Sequence, residues 1–254
     1  MNNKSAVSKP FIFILSGFCV LGIWYLAAEI ISAPLVLPSP KETFSSLVNN
    51  IFLPSFWWHV GFTALRSISA FFISVIIGTV LGILCGVSPF FSNLIAFPLA
   101  MIRTTPVVSF ILLAIFWFGS SIVPVFVAVL MSLPIMVSAV ETGILHTDSK
   151  LLDCSKSYGF SKVKQIFYIY IPSCIPSFLT GSISAFGLSW KVVVAGEVIC
   201  LPRRGVGTLL QTAKVHVETS QVFAITLVVI LICFILETVF KASLKKLLNT
   251  GRYS

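Results

Sequence analysis

The sequence predicts an all-α polytopic membrane protein with six transmembrane helices, and three observations carry that expectation. Apolar residues make up 57% of the 254 residues and charged ones only 10%, against about 45–50% and about 25% in a soluble globular domain. Mean hydropathy is +1.04. The apolar residues also gather into runs close to the ~20 that cross a bilayer, with the ionisable side chains mostly between the runs. A soluble enzyme, a disordered chain and a secreted disulfide scaffold are poor fits to such a composition. The net charge of +9 belongs to the loops, where it orients the chain rather than binding nucleic acid. Six scattered cysteines with no CxxC pair argue against metal and dithiol chemistry.

The first span runs from about Phe11 to Ile31. It is longer than the ~7–15-residue apolar core of a signal peptide, so it reads as a retained helix. The others run from about Phe62 to Val87, Pro106 to Phe118 (with a backward extension through Ile95–Met101), Ile122 to Val140, Ile171 to Val194 and Val222 to Phe240. The chain divides into a tail, first span and outer loop (1–55) and a five-span core (56–254) with a cytoplasmic loop at 146–172. Gly78, Gly82 and Gly86 recur every fourth residue, a small-residue seam for close helix packing. Pro98, Pro106, Pro124 and Pro134 mark span ends or kinks.

Basic residues set the orientation. With the N-terminus inside, eleven of the 17 Lys and Arg fall on the inner side, among them Lys4, Lys9, Arg103, Lys150, Lys156, Lys162, Lys164, Lys245, Lys246 and Arg252. Six fall outside: Lys41, Arg66, Lys191, Arg203, Arg204 and Lys214. That bias puts both termini in the cytoplasm. Glu197 stands apart, because Val192 to Cys200 is apolar enough to enter the membrane yet carries this carboxylate beside Gly196. Such a group faces protein or a wet cavity rather than lipid. Trp190, Lys191 and Glu197 are the pathway candidates, with pairing of Lys191 to Glu197, or of either to a helix end, as the plainer alternative.

The loop between the fourth and fifth spans carries the clearest local signals. Thr147 or Asp148 caps a helix beginning at Ser149, with Leu151, Leu152 and Tyr158 at helical spacing. Gly159 supplies the left-handed position that stops it. Ser161 caps a second helix, Lys162–Ile171, which meets Pro172 at the membrane. The result is a helix–glycine–helix elbow, either lying among anionic headgroups or docking into another protein.

The run Asp153-Cys154-Ser155-Lys156-Ser157-Tyr158-Gly159, nine residues, then Ile169-Tyr170-Ile171-Pro172 resembles the EAA signature of ABC-importer permeases. Gly159, Ile169 and Pro172 match it, while Asp153, Cys154, Ser155 and Ile171 are conservative departures. Trp58 to Arg66, Arg103-Thr104-Thr105-Pro106 leading to Trp117-Phe118-Gly119, and Trp190-Lys191, Glu197 and Gly205-Val206-Gly207 extend the resemblance over about residues 56–211. They point to permeases of the nitrate, sulfonate and taurine type, a group that also serves thiamine-precursor uptake.

The resemblance implies a type I ABC-importer fold in the bacterial inner membrane and a small, anionic solute as one option for the cargo. It implies a homodimer of permeases, two copies of an ATPase subunit and an extracytoplasmic solute-binding protein. Leu151, Leu152, Asp153, Cys154, Ser155, Tyr158, Gly159, Ile169 and Pro172 would then form the ATPase-coupling region. No GxxxxGK[ST] phosphate loop, HExxH or GxSxG occurs in the sequence, so neither catalysis nor a cofactor is expected on this chain; ATP and Mg belong to the partner ATPase. Two other classes compete. A secondary transporter driven by an ion gradient calls for inverted repeats and ionisable residues in the spans. An intramembrane enzyme calls for a nucleophile constellation.

Overall fold

The computed structural model describes residues 9–250, and among them every regular element is helical. Lys4 and Arg252 lie outside the described residues, as do the side chains of Lys9, Lys156, Lys162, Lys245 and Lys246. Along the chain come α1 (Lys9–Ile31), α2 (Pro40–Ile51), α3 (Pro54–Val87), α4 (Pro89–Thr104), α5 (Val107–Ala114), α6 (Val123–Leu145), α7 (Ser149–Ser157), α8 (Lys162–Gln165), α9 (Ile171–Cys200), α10 (Val206–Val215) and α11 (Thr219–Thr250). Among the described residues four helical runs are long and apolar enough to cross a membrane: Pro54–Val87, Val123–Leu145, Val163–Cys200 and Thr219–Ser243. The pair α4 and α5 makes a fifth if counted as one span, and Leu15–Ile31 of α1, from where its side chains are described, counts as a shorter apolar helix.

The chain forms two compact units, Met1–Trp57 with Leu209–Ile230 and Trp58–Thr208 with Leu231–Ser254. In the first, the expected outer loop contains a helix, α2. Ser39 accepts from the Glu42 N–H (3.3 Å) while the Glu42 carboxylate accepts from the Ser39 N–H (3.1 Å), a reciprocal cap with Pro40 in the first turn. The Trp24 indole donates to the Pro38 carbonyl (3.1 Å) and its ring stacks on Phe223 at 5.8 Å. Asn50 donates to Gln221 at 2.6 Å and the Thr219 hydroxyl to the Leu35 carbonyl at 2.7 Å.

The second unit is built on α6 packed against α9. Val123, Val127 and Ala128 of α6 meet Val192 and Val193 of α9 in a buried cluster that also takes Ala70 of α3 and Ile111 and Ala114 of α5. Ser132 and Ser189 join the two helices by a buried hydroxyl pair at 2.8 Å. The glycine seam of α3 lies on α6: a methyl added at Gly82 would stand 2.6 Å from Val140 Cβ and 2.9 Å from the Val137 carbonyl. Phe71, Phe186 and Phe240 draw α3, α9 and α11 together, with ring centroids 5.1–5.3 Å apart.

Two spans differ from expectation. The third is not a straight helix over Pro106–Phe118 but α4 and α5 meeting at 97°. Pro106 has no N–H to donate and pushes Thr105 out of the helical region, to φ −75° and ψ 130°. Trp117, Phe118 and Gly119 lie beyond α5. The fifth does not begin at Ile171 but runs from Val163. One π turn, Ile166–Tyr170, joins α8 to α9, and the Ile171 N–H reaches the Ile166 carbonyl five residues back. The wider turn carries the helix through Pro172 where an α turn would set its ring against a carbonyl.

Candidate functional site

The elbow folds as local chemistry dictates. Asp148 Oδ1 accepts from the Lys150 N–H at 2.9 Å and opens α7. Gly159, at φ +70°, ends it, and the Phe160 N–H donates back to the Ser155 carbonyl at 3.0 Å, the six-to-one bond of a left-handed helix stop. Ser161 Oγ accepts from the Lys164 N–H at 3.4 Å and starts α8. The two arms are fastened by Gln165, whose amide donates to Ser155 Oγ at 3.1 Å, and by an edge contact between Phe160 and Tyr168. Ser155 is thereby buried. The sequence signals of the elbow did not include Gln165.

The elbow exposes apolar and polar side chains together, Lys150, Asp153, Ser157 and Lys164 among the polar ones. Leu151 is 53% exposed and Tyr158 78%; Leu152 and Ile169 are half-buried, and Asp153, Cys154, Gly159 and Pro172 are exposed. Exposed large apolar side chains are costly in water, so Leu151 and Tyr158 suit a surface that another body covers, whether protein or lipid headgroups.

At the far end of α9 the carboxylate of Glu197 sits in a closed clasp. It is fully buried and accepts from Arg66 Nη1 (2.6 Å), Thr63 Oγ1 (2.7 Å) and the Gly207 N–H (3.1 Å). Thr63 Oγ1 in turn accepts from the Val206 N–H at 2.9 Å, and Arg66 also donates to the Arg204 carbonyl at 2.6 Å. The Gly205 N–H donates to His59 Nδ1 at 3.0 Å. The Arg204 guanidinium lies over the rings of Trp58 (5.8 Å) and Phe62 (5.3 Å). Gly207 is required for the approach, since a methyl there would fall 2.5 Å from Glu197 Cβ and from the Val194 carbonyl. The clasp holds residues 201–207 to α3, and with them Leu201 in a left-handed conformation at φ 50°.

The three pathway candidates are thus in different surroundings. Trp190 is 1% exposed, and its indole N–H has no partner among the described residues. Lys191 is exposed. Glu197 pairs with Arg66 rather than with Lys191. Arg66 was the missing partner, and an arginine four residues into the apolar run from Phe62 is the signal that could have found it.

The chain matches the family model described as "Binding-protein-dependent transport system inner membrane component" over residues 78–249. It belongs to that family. It is therefore a membrane permease of an ABC importer, a component that works with an ATPase and a solute-binding protein. Among relatives of this family, the taurine transport system permease protein TauC of Escherichia coli K12 is 26% identical over 238 residues, covering 90% of this chain and 85% of that one. The formylaminopyrimidine transport permease protein ThiX of Halalkalibacterium halodurans is 29% identical over 256 residues, covering 98% and 96%. In fold, the chain is similar to the permease in inward-facing structures of the MetNI methionine ABC transporter, with TM-score 0.65, 14% identity and coverage of 76% of this chain and 97% of that one. The fold is that of a type I ABC-importer permease.

Proposed function

We propose that this permease works as a homodimer with two ATPase subunits beneath it and an extracytoplasmic binding protein above, and that it carries a small organic anion of the sulfonate or taurine type into a bacterial cell. The exposed Leu151 and Tyr158 of the elbow carry the reading. Leu151 and Tyr158 supply the contact on the ATPase, with Leu152, Asp153 and Cys154 around them. Ser155, Gly159, Ile169 and Pro172 fix the angle at which α7 meets α9. ATP and Mg are held by the ATPase, in keeping with the lack of any phosphate-loop spacing in this sequence. Both termini lie in the cytoplasm, as the distribution of Lys and Arg favours.

The sulfonate assignment follows the taurine permease among the relatives. The formylaminopyrimidine permease, aligned over nearly its whole length, favours a second reading in which the cargo is a neutral thiamine precursor. Purifying the importer with its co-expressed binding protein and weighing the ligand that stays bound separates them. A sulfonate supports the first reading and a pyrimidine replaces it with the second. ATP-independent uptake by this chain alone in liposomes would remove the importer assignment.

A further inference from the structure

The charge distribution assigns Arg103 to an inner loop, but the structure sets it beside the middle of a spanning helix. Its Nη2 donates to the Pro134 carbonyl at 3.0 Å and to Ser138 Oγ. Pro134 is halfway along α6, roughly 16 Å from either end at about 1.5 Å per residue. A cation at that depth is expensive and needs a counter-charge or water. Among the described residues no carboxylate pairs with it: the one ion pair joins Arg66 to Glu197, and Glu141 of α6 accepts from Ser92 instead. Nη1 and Nε of Arg103 have no partner among these residues either, which leaves charged N–H donors of the guanidinium open to single bonds with an oxyanion.

Beside Ser138, α6 and α9 flank a wide-open groove of about 460 Å³. Hydroxyls line it at helical spacing, Ser138 and Thr142 from α6 and Ser177, Thr180 and Ser184 from α9. The Thr180 and Ser184 hydroxyls donate to carbonyls of their own helix, at 3.0 and 3.2 Å, and can rotate to donate to a guest. A hydroxyl face on two otherwise apolar spans suits water or solute rather than lipid. Arg103, itself exposed, meets the groove at Ser138, which bonds it and lines the groove.

We propose that Arg103 and this hydroxyl face form an anion-binding section of the translocation path, fitted to a solute bearing a sulfonate, carboxylate or similar oxyanion. The proposal rests on the permease reading above and extends it to named residues. The test places a single cysteine at Thr142 or Ser184 (Thr142→Cys, Ser184→Cys) in the assembled importer, with the exposed Cys19 and Cys154 replaced by serine. Each is treated with the anionic reagent 2-sulfonatoethyl methanethiosulfonate and, separately, with its cationic trimethylammonium counterpart. The expected result is faster modification by the anion, on the order of 10-fold or more relative to the cation after correction for their rates on a free thiol. The preference should persist with Arg103→Lys and vanish with Arg103→Gln.

Cysteines that react with neither reagent, or equally with both, would overturn the proposal; equal reaction is the result expected if a carboxylate of the partner permease neutralises Arg103. The readout reports the charge of the groove whatever the cargo is. A bound pyrimidine in the binding protein together with an anion-selective groove would therefore refute the sulfonate reading alone.

Discussion

Glu197 shows how one side chain can fix a loop without supplying much net stability. Its carboxylate is fully buried and the Arg66 side chain is 11% exposed, so desolvation offsets much of their attraction. The geometry gains instead a fixed course for residues 201–207, because Thr63, Arg66 and Gly207 converge on one carboxylate. Removing one partner strands the other. Arg66→Ala is expected to cost about 3–5 kcal/mol, whereas the double replacement Arg66→Met with Glu197→Gln, which strands no charge, should recover most of that loss. Denaturant unfolding of the purified chain in detergent measures both. Losses that simply add in the double variant would show that the two residues are not coupled. In the sequence the need for a partner was legible from the apolar run around Glu197, but its identity was not, since Arg66 lies 131 residues away and only the packing of α3 on α9 brings it near.

Among the elements, the elbow is the one whose conformation depends most on a single backbone angle. A non-glycine residue at φ +70° costs about 1–2 kcal/mol, and a β-branched one is worse placed still, while Asn tolerates the region. Gly159→Val should therefore swing α7 away from its angle to α8 and abolish ATP hydrolysis coupled to uptake, and Gly159→Asn should keep most of it. The assay is binding-protein-stimulated ATP hydrolysis in proteoliposomes, with co-purification of the ATPase as a check on assembly. Full stimulation in the valine variant would refute the coupling role. This element was almost wholly legible in advance, because Asp148, Gly159 and Ser161 act on amides within a few residues of themselves. The 97° break between α4 and α5 was less so. Pro106 announces a break, but the angle is set by where Ile111 and Ala114 find their buried places against α6 and α9. The π turn was hidden for a similar reason: Pro172 reads as the place where the Lys162–Ile171 helix gives way to the span, and only the Ile171-to-Ile166 bond reveals that the helix passes through it.

For the molecule as a whole, the placement of its ionisable groups decides what can drive transport. An ion-coupled carrier moves protons or cations through carboxylates and histidines that change partners within the spans. Here the buried carboxylate of α9 is saturated by three donors, and Glu141 of α6 is engaged by Ser92 at 2.7 Å. The cation at mid-depth, Arg103, belongs to a guanidinium that keeps its proton and so cannot relay one. A third carboxylate, Glu237 of α11, is half-buried beside Gly187 of α9. In this family the conformational energy comes from a partner ATPase, and the exposed Leu151 and Tyr158 of the elbow suit a surface that receives it. Uptake by proteoliposomes holding the full importer, with ATP inside and the binding protein outside, is accordingly expected to be unchanged when a protonophore or a sodium ionophore collapses the gradients. The same uptake should stop when ATP is replaced by a non-hydrolysable analogue. Uptake that falls with the proton gradient while ATP hydrolysis continues would mean that one of these carboxylates leaves its partners during the cycle, and replacing Glu197 or Glu141 in turn by glutamine would show which.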